Sequence, residues 1–457
     1  MIRMLRRDFL FAAAAGAGAA APPAPNFVVI MTDDQGSRDL GCFGASDLKT
    51  PHIDALAASG ARFTNWYSNA PVCAPSRAAL MTGRYPVRAG VPTNGRTLDP
   101  VRQKTAATLL KKAGYATGLI GKWHLGDTPE TAPNAHGFDY FYGFHPGCVD
   151  FYSHRFYWGE TGSGRTVNYH SLYRNREEIF EDGEYLTDRI AAEAAGFIRA
   201  HWTRPFFLTV TFNAPHYPMH APARYLARFP NLAEERRIYA AMLAAVDDGV
   251  GMIRSTLAQH GLLENTLIVF VSDNGATTEA RAGLGQRPAT AGDNGPYRGF
   301  KFSLFDGGTH VPGIMSWPKA IPAGRTVDEV VMTMDILPTV CAAAGVAIPE
   351  GHRIDGKDIL AVAARGAPSP HECIFWENGA QLAARKGKWK LVLNGNPYGR
   401  SAEENKTLTG EDAVHLSDLS KDPGESVNLR RTNPAVADEL TSRIERWRRE
   451  VRGETAP

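Results

Sequence analysis

The sequence predicts an α/β fold: a mostly parallel central sheet with helices on both faces, then a smaller C-terminal subdomain with a short antiparallel sheet and a terminal helix. Two observations predict it. Four short apolar runs alternate with amphipathic helix patterns through the N-terminal part of the chain, and this alternation is typical of parallel sheets. Near the C-terminus, alternating apolar residues and one final amphipathic stripe replace that pattern.

Each of the four predicted strands ends in a cluster of polar residues. The strands are predicted at residues 27–31, 115–120, 206–212 and 266–272. The clusters that follow them contain, in chain order, Asp33 and Asp34, Lys122 and His124, His216, and Asp273 and Asn274. Because ligands bind outside the carboxyl ends of the strands in such sheets, we expect these side chains to meet at one edge.

Helix signals separate the strands. Thr50 as N-cap and Pro51 at the first helical position predict a helix that Gly60 stops. Residues 187–200 place apolar side chains on one face, which predicts a second helix. Residues 275–299 are rich in Gly, Ala and Arg and predict a long loop, a candidate lid, which leads to Lys301.

The last part of the chain has its own pattern. Residues 364–370 predict a linker, and residues 374–376 and 389–393 alternate like strands of a small antiparallel sheet. A closing helix is predicted to carry one apolar stripe, formed by Val436, Leu440, Ile444, Trp447 and Val451. We interpret its arginine-rich opposite face as solvated surface.

The N-terminus is predicted to be a signal peptide, residues 1–21. Arg6-Arg7 precedes a short run of mostly Ala and Gly, and this pattern resembles a twin-arginine export signal. We therefore expect a periplasmic or secreted protein whose fold begins near Asn26. A membrane span needs about twenty strongly apolar residues, so no stable span is expected here.

Composition narrows the class of protein. The hydrophobic fraction of 43% and the charged fraction of 21% are ordinary for a soluble globular protein. A net charge of +2 gives no reason to expect a nucleic-acid partner. Five cysteines exclude a disulfide-rich scaffold. Apart from Cys73, the cysteines are expected to be buried thiols, with one disulfide left open: Cys42, Cys148, Cys341 and Cys373.

Two of the strand-end clusters offer only oxygen donors. Asp33, Asp34, Asp273 and Asn274 have no histidine or thiolate within their own clusters, and oxygen-only sets suit hard cations such as calcium. Each cluster alone is more typical of a turn. Two such clusters at the ends of buried strands favour a calcium site, because buried charges must be paired or must bind a metal.

The remaining distinctive segment is residues 73–84, CAPSRAALMTGR. Pro75 suits a first helical turn and Gly83 a helix end, so Cys73 is predicted at a helix N-terminus, where backbone N–H groups favour an anion. Arg77, one turn along, is expected to point toward the same place. A small nucleophile, a positive field and an arginine together predict an anion-processing site.

This segment resembles the signature of the type I sulfatases, Cys (or Ser)-x-Pro-x-Arg followed by Leu-x-Thr-Gly-Arg, at every fixed position. The resemblance covers nearly the whole mature chain and implies an alkaline phosphatase-like fold. It also implies a catalytic domain at residues 26–363 and a C-terminal subdomain at 371–457. One departure is His310, where relatives often carry arginine.

The resemblance implies the cofactors and the site residues. Cys73 would be oxidised to formylglycine (3-oxoalanine) by a formylglycine-generating or anaerobic sulfatase-maturating enzyme. Calcium would be bound by Asp33, Asp34, Asp273, Asn274 and residue 73. The catalytic residues would be Cys73, Arg77, Lys122, His124, His216 and Lys301, with Lys122, His216 and Lys301 also binding substrate.

The implied reaction is an in-line attack on sulfur by the aldehyde hydrate at position 73. Lys122 and Lys301 stabilise the sulfuryl oxygens, His216 protonates the leaving alcohol, His124 deprotonates the remaining hydroxyl, and Arg77 orients the hydrate. The alternatives are a formylglycine-dependent phosphodiester or phosphonate monoester hydrolase and a non-catalytic exported polyanion-binding protein. For exported bacterial members the resemblance favours sulfated glycans over other sulfated small molecules. The aromatic residues of segment 138–158 suit either sugar stacking or loop packing.

Overall fold

The computed structural model describes residues 24–156 and 169–453, so the predicted signal peptide lies outside the described residues. The strands are β1 (Asn26–Thr32), β2 (Ala61–Phe63), β3 (Trp66–Tyr67), β4 (Ala116–Lys122), β5 (Tyr140–Phe144), β6 (Arg155–Phe156), β7 (Tyr169–His170), β8 (Tyr173–Arg174), β9 (Glu177–Glu178), β10 (Phe206–Thr211), β11 (Thr266–Ser272), β12 (Gly313–Ser316), β13 (Arg325–Val327), β14 (Val331–Met332), β15 (Ile374–Asn378), β16 (Gln381–Lys386), β17 (Trp389–Leu393) and β18 (Val414–Asp418). The α-helices are α1 (Pro51–Ala58), α2 (Cys73–Thr82), α3 (Pro86–Ala89), α4 (Ala106–Lys112), α5 (Leu186–His201), α6 (Ala223–Leu226), α7 (Glu234–Gln259), α8 (Asp306–Thr309), α9 (Ile336–Ala343), α10 (Leu360–Arg365) and α11 (Pro434–Val451).

The central sheet has the strand order β13-β2-β12-β11-β1-β10-β4-β5-β8-β9. Its five middle strands, from β11 to β5, run parallel to one another. Strand β12 is antiparallel to both of its neighbours, and β8 is antiparallel to β5 and β9. The predicted α/β class with a mostly parallel sheet is confirmed.

Strand β1 lies in the middle of this sheet and contributes to a core on each face. Val28 and Ile30 pack into a cluster with residues of α1, α5 and α7. Val29 and Met31 pack into a second cluster with residues of α2, α4 and α9. Because successive strand residues point to opposite faces, a strand covered on both sides must be apolar throughout. This is why the run could be recognised in the sequence.

The C-terminal residues form a four-stranded antiparallel sheet in the order β15-β16-β17-β18. Helix α11 covers one face through Leu440 and Ile444. The other face meets the main sheet domain in a cluster that joins Trp376 and Val392 to Tyr67 and Phe305. The predicted short antiparallel sheet and terminal helix are therefore present.

The structure corrects the predicted details of this region. Strands β16 and β18 were not predicted. In α11 the buried stripe runs through Ala437, whereas Val436 is only partly buried. The arginine-rich face is not merely solvated, since Arg448 and Arg452 both pair with Glu377 of β15.

Two further expectations concern the whole chain. All five cysteines lie within the described residues and are free thiols, and Cys42 and Cys373 are only half-buried rather than buried. Among the helices of residues 24–156 and 169–453, none is both long and apolar enough to cross a bilayer.

Candidate active site

The polar residues that follow the central strands lie at one edge of the sheet. Strand β1 pairs with β10 on one side and with β11 on the other, and β4 pairs with β10. The parallel register therefore brings together six buried residues: Asp33, Asp34, Lys122, His216, Asp273 and Asn274. This is the convergence that the sequence predicts.

Buried carboxylates and lysines pair at this edge. Lys122 Nζ lies 2.5 Å from Asp33 Oδ2, and Lys301 Nζ lies 2.9 Å from Asp34 Oδ2. The Asp34 backbone N–H donates to Asp273 Oδ1 at 3.1 Å. Both lysines are almost fully buried, so each charge depends on these partners rather than on water.

The three carboxylates have different pKa values. Burial alone would raise the pKa of Asp33, but Lys122 and Arg77 outweigh it and hold that pKa below its usual value. Burial raises the pKa of Asp34 to about 7, because Lys301 opposes it only in part and the charges of Asp33 and Asp273 add to it. Burial and the charge of Asp33 raise the pKa of Asp273 to about 6, although the nearby Arg77 lowers it in part. The protein's own cations thus leave part of this negative charge uncompensated.

Asn274 shows how a cation fits this cluster. Its Nδ2 donates to Asp34 Oδ1 at 2.8 Å and to the Gly275 carbonyl at 2.9 Å, whereas its buried Oδ1 has no hydrogen-bond partner among the described residues. A buried acceptor without a partner costs about 1–3 kcal/mol, which a bound cation would relieve. An amide oxygen beside carboxylate oxygens is a donor set that fits calcium.

The geometric grouping of ligand atoms differs in part from the predicted set. One ligand atom each from Asp33, Asp34, Cys73 and His216 lie within 4.8 Å of one another. Asp273 is not in this group, and its Oδ2 accepts from Arg77. We favour the oxygen donors over His216 as ligands, because calcium prefers carboxylate and amide oxygens to imidazole nitrogen.

Cys73 is the first residue of α2 and one of the residues that line a cavity over the sheet edge. Its Sγ lies 3.6 Å from Asp33 Oδ1 and 3.9 Å from Asp34 Oδ1. Burial raises the pKa of the thiol well above its usual value. Helix α2 ends as predicted, with Gly83 in the left-handed region at φ 66° and its N–H bonded to the Ala79 carbonyl.

Arg77 lies one turn further along α2 and is fully buried. Its Nε and Nη2 donate to Asp273 Oδ2 at 3.1 and 2.8 Å, and its Nη1 donates to the Lys122 carbonyl at 3.2 Å. The guanidinium therefore joins α2 to the ends of β11 and β4. Its carboxylate partners are Asp273 and, at 3.6 Å, Asp33, and the role predicted for it toward residue 73 stays a prediction.

The two histidines line the same cavity as Cys73. His216 Nδ1 lies 2.8 Å from the Tyr217 carbonyl, which can only accept, so Nδ1 carries the proton and Nε2 lies toward Asp34 at 3.6 Å. Burial lowers the pKa of each histidine well below the usual value for histidine, and the positive charge of Lys122 lowers it further. His124 packs its Nε2 against Gly147, where an added Cβ would lie 2.7 Å away.

Backbone strain is also found at this site. Asp34 and His124 both adopt φ 57°, in the left-handed region that non-glycine residues rarely occupy. Such conformations cost of the order of 1–3 kcal/mol and persist where the surrounding structure enforces them, often at functional sites.

Lys301 reaches the site from a loop that the C-terminal sheet holds. Asn378 Nδ2 and Gln381 Nε2 both donate to the Phe302 carbonyl, at 2.7 and 2.9 Å. The Phe300 N–H donates to the Pro397 carbonyl at 3.0 Å. Phe302 itself adopts φ 76°. The residues on both sides of Lys301 are therefore fixed by the subdomain that follows it in sequence.

Sequence reasoning missed Glu279, which lies in the predicted loop 275–299. Its Oε2 lies 3.1 Å from Lys301 Nζ. The loop contains two short 3-10 turns, Ala280–Ala282 and Leu284–Gln286, and no longer helix or strand. No local sequence signal marks Glu279, because its partner Lys301 lies beyond the end of the loop.

The aromatic stretch at residues 138–158 serves mainly as core. The rings of Phe138, Phe141, Tyr142, Phe144 and Phe151 are buried. Among its described aromatic rings, Phe156 lines the cavity together with the imidazole of His145. Residues 157 and 158 lie outside the described residues. Loop packing is therefore the better interpretation for most of the stretch.

Comparison with known proteins identifies the family. The sulfatase family profile matches residues 25–346. This chain belongs to the sulfatase family. It is 34% identical over 410 residues to N-acetylgalactosamine-6-sulfatase of Canis lupus familiaris, covering 84% of this chain and 74% of that protein. It is 31% identical over 478 residues to arylsulfatase J of Mus musculus, covering 94% of this chain and 77% of that protein. As a sulfatase it is a hydrolase of sulfate esters.

Solved structures agree with this assignment. The crystal structure of Ps i-CgsB in complex with k-i-k-neocarrahexaose superposes with a TM-score of 0.80 at 32% identity, covering 93% of this sulfatase and 92% of that chain. The phosphonate monoester hydrolase of Agrobacterium radiobacter superposes with a TM-score of 0.63 at 22% identity, covering 93% and 96%. At that identity the second likeness shows the shared fold alone. The comparisons therefore favour sulfate esters over the alternative phosphonate chemistry.

Proposed function

We propose that this sulfatase removes sulfate from sulfated carbohydrates with a formylglycine made from Cys73 and a calcium ion held beside it. The observation that carries the proposal is the position of Cys73. It begins α2 in the cavity wall, 3.6 Å from Asp33 and beside both histidines. The motif at residues 73–84 is the one that maturation enzymes modify in this family.

Calcium would be held by the carboxylates of Asp33, Asp34 and Asp273 and by the Asn274 amide oxygen, next to residue 73. When bound, the ion supplies positive charge that favours an ionised oxygen at residue 73 and withdraws charge from the sulfate oxygens. Support comes from the unpartnered Oδ1 of Asn274 and from the oxygen-only donor set. The aldehyde hydrate at position 73 supplies an attacking hydroxyl and a second hydroxyl on the same carbon.

Lys122 and Lys301 bind the sulfate group in this proposal. Both ammonium groups are buried at the sheet edge, and Lys301 lines the cavity, so their charges are poorly screened and act strongly on the sulfate oxygens. Both already touch the carboxylates of the proposed calcium site, which fixes their position before substrate arrives. Arg77 holds Asp273 and the backbone of Lys122, and so keeps the ligands in register.

His216 donates a proton to the leaving oxygen. Because its Nδ1 hydrogen is committed to the Tyr217 carbonyl, only Nε2 can serve the substrate. The pKa of free His216 is low, so the histidine takes up this proton as the anionic sulfate binds. His124, whose neutral form burial also favours, accepts the proton from the second hydroxyl at residue 73.

The cavity supports a saccharide substrate. Its volume of about 660 Å³ lies within the usual range for ligand sites. Polar side chains such as Asn94, Thr97, Asp127 and Thr128 line one part of it, and they suit sugar hydroxyls better than a steroid or an unsubstituted aryl group. Two of the similar proteins support this class by name or ligand, namely N-acetylgalactosamine-6-sulfatase and the Ps i-CgsB structure in complex with k-i-k-neocarrahexaose, whereas the steryl-sulfatases at similar identity do not.

Export by the twin-arginine route to the periplasm or the medium completes the proposal. It rests on the N-terminal sequence, Arg6-Arg7 followed by a short apolar run. Replacing both arginines with lysine should retain the precursor in the cytoplasm. Export of that variant at the wild-type level, measured by cell fractionation, would contradict the route.

Two measurements test the chemistry. Peptide mass spectrometry of active protein should find an aldehyde in place of the thiol at residue 73. Hydrolysis is compared across defined sulfated saccharides, an aryl sulfate and the corresponding aryl phosphate, by the release of sulfate from the first two and of phosphate from the last, and it should be fastest for a saccharide. Full activity with an unmodified thiol contradicts the formylglycine, and a higher kcat/KM for the aryl sulfate contradicts the carbohydrate substrate. No sulfate release from any compound would favour the non-catalytic polyanion-binding alternative.

A further inference from the structure

Asn94 caps helix α2 from a loop outside the helix. The residue before the helix is Val72, whose side chain has no acceptor and makes no cap hydrogen bond. Asn94 Oδ1 accepts from the Ala74 N–H at 3.0 Å instead. Ala74 is the second residue of the helix, where the side chain of an N-cap residue ordinarily bonds. The helix that begins at Cys73 therefore fixes Asn94 beside the nucleophile.

This bond leaves the other half of the Asn94 amide open. An asparagine amide has an oxygen that accepts and a nitrogen that donates. Ala74 uses the oxygen, whereas Nδ2 makes no hydrogen bond within residues 24–156 and 169–453. Asn94 is exposed and lines the cavity together with Cys73. Its Nδ2 therefore offers a hydrogen-bond donor to a ligand next to residue 73.

The loop that carries Asn94 is held by two neighbours. The Leu98 N–H donates to the Leu125 carbonyl at 2.9 Å. The two segments pack so closely that a Cβ added to Gly126 would lie 2.9 Å from Thr97 Cγ2. The loop is thus fixed at one end by α2 and at the other by the segment that follows β4. A donor fixed in this way loses little conformational entropy when a ligand binds.

The cavity rim, residues 94–97 and 126–128, carries one charge of each sign. Arg96 is exposed and Asp127 is half-buried, and neither forms an ion pair with any residue that the structure describes. The rim therefore has no net charge to attract a second anion. The Asp127 carboxylate can only accept hydrogen bonds and Asn94 Nδ2 can only donate them, whereas a hydroxyl group does both. Such a rim suits the hydroxyl groups of a sugar.

We propose that Asn94 donates to the free hydroxyl nearest to the sulfate ester, on the sugar that carries the reacting sulfate, and that Asp127 accepts from a hydroxyl of the same sugar. For a sulfate on the ring this group is the hydroxyl of the adjacent carbon, and for a 6-sulfate it is the 4-hydroxyl. The nearest hydroxyl is the one within reach because Asn94 is bonded to Ala74, the neighbour of the residue that attacks sulfur. The inference rests on the proposed sulfatase action on carbohydrates and adds which position of the sugar must be unsubstituted.

The test compares three saccharides that differ only at this position. The position carries a hydroxyl, a hydrogen or a second sulfate, and release of the scissile sulfate by matured, calcium-loaded protein is followed by chromatography of the products. Wild-type kcat/KM should be about three- to tenfold higher for the hydroxyl than for the hydrogen, which is the range expected for one ordinary hydrogen bond. The second sulfate should give a value no higher than the hydrogen, because the rim has no net positive charge.

Variants separate the binding of substrate from the capping of the helix. Asn94→Ala should lower the hydroxyl-to-hydrogen ratio of kcat/KM to near one, and it should also lower the melting temperature because α2 loses its cap. Adding Val72→Thr supplies a hydroxyl at the N-cap position, whose extended backbone (φ −147°, ψ 154°) suits a cap. This double variant should recover the melting temperature but keep a ratio near one. Thr93→Ala is the matched control and should change neither value, since Thr93 is exposed in the same loop and does not line the cavity.

Asp127→Asn tests the other side of the rim. It removes the negative charge and keeps the shape of the side chain. The saccharide with the second sulfate should therefore gain roughly threefold in kcat/KM relative to the saccharide with the hydroxyl. An unchanged relative value would overturn the role of Asp127. Calcium content and the conversion of residue 73 are measured for every variant.

Other outcomes would overturn the role of Asn94. A wild-type ratio near one would leave the sulfatase function intact but remove this subsite, and a ratio that Asn94→Ala leaves unchanged would assign the donor to another residue. A ratio that returns with the melting temperature in the double variant would mean that Asn94 acts only as a cap. A second sulfate that gives the highest kcat/KM would mean that the rim binds an anion.

Failure of the proposed function would be seen separately, as the absence of hydrolysis for every saccharide. Calorimetry of the same three saccharides with Cys73→Ala protein then decides the subsite without turnover. Tighter binding of the saccharide with the hydroxyl would support it, and equal affinities for the hydroxyl and the hydrogen would reject it.

Discussion

Gln381 fixes the loop that carries Lys301, and its removal should affect both stability and catalysis. The side chain is 5% exposed at the start of β16. Its Nε2 donates to the Phe302 carbonyl, while its Oε1 accepts from the N–H groups of Leu304 at 3.3 Å and Asn396 at 3.0 Å. The perturbation we propose is Gln381→Leu, which keeps the volume and removes all three bonds.

The magnitude follows from the groups left without partners. The Phe302 carbonyl keeps its bond from Asn378, so it adds little. The backbone N–H of Leu304, which is fully buried, loses its side-chain acceptor. The backbone N–H of Asn396 loses the same acceptor, but Asn396 is only half-buried and its N–H is closer to water. At about 1–3 kcal/mol for each buried group, we expect a loss of about 2–4 kcal/mol in the free energy of unfolding. A shift of Lys301 by a fraction of an ångström should also lower kcat/KM at least tenfold.

The matched control is Asn428→Leu in the same subdomain. Asn428 Oδ1 accepts from two backbone N–H groups, Leu416 and Arg430, and its Nδ2 donates to the Val414 carbonyl and to exposed Asp412. It thus makes the same kinds of bond as Gln381 without touching the Lys301 loop. Urea unfolding gives the stability of both variants, and steady-state kinetics well below their melting temperatures give kcat and KM. If Gln381→Leu keeps kcat/KM within twofold of Asn428→Leu, the positioning argument is refuted.

Three further predictions concern other parts of the molecule. Asp273→Ala removes the carboxylate that Arg77 contacts at 2.8 Å and leaves only Asp33, at 3.6 Å, so the free energy of unfolding should fall by about 3–5 kcal/mol and bound calcium should be lost. An unchanged calcium content by mass spectrometry would contradict the ligand assignment. Burial raises the pKa of Glu425 from 4.5 to about 7; Lys390 opposes this shift and Asp306 adds to it. Between these two pH values the folded protein binds more protons than the unfolded chain. The free energy of unfolding should therefore fall by roughly 3 kcal/mol as the pH rises from about 4.5 to 7. Glu425→Gln should flatten that slope in urea titrations at several pH values, and an unaltered slope would exclude this residue as the cause. Cys73→Ser, confirmed as unconverted serine, should release at most one equivalent of alcohol and retain sulfate on residue 73, because serine lacks a second hydroxyl to expel it; steady multiple turnover would mean that the elimination step is wrong.

The strands that could best be predicted from the sequence are those in which every residue is buried and most residues are apolar. Strand β11 was predicted with its observed bounds, and β1 to within a residue at each end, because a strand covered on both faces must be a continuous apolar run. Strand β16 escaped prediction because it contains Gln381 and Arg385, both buried and polar. Arg385 is accommodated by Asn65 and Tyr67, residues some 320 positions earlier in the chain. No local pattern reveals partners at that distance.

The same distinction holds within the site. The strand-end residues were predictable because a parallel sheet places carboxyl ends together, whatever the helices between them. The contacts of Lys301 were not, because Glu279 belongs to a loop of small residues and Gln381 belongs to another subdomain. A resemblance can indicate that Lys301 matters, but it does not indicate what holds the lysine in place.

The two lysines of the site therefore differ in how they are fixed. Lys122 is the last residue of β4, and its position follows from the central sheet together with Arg77 and Asp33. Lys301 depends on three segments at once: the end of β1 through Asp34, the 275–299 loop through Glu279, and the C-terminal sheet through Gln381. The loop that carries Glu279 also carries Arg281 in the cavity wall. Substitutions in that loop are therefore expected to displace Lys301 while Lys122 and the carboxylates of the sheet edge stay in place. The position of Lys122 should therefore survive changes to the 275–299 loop and to the C-terminal sheet, whereas that of Lys301 should not, because only Lys301 has contacts with both.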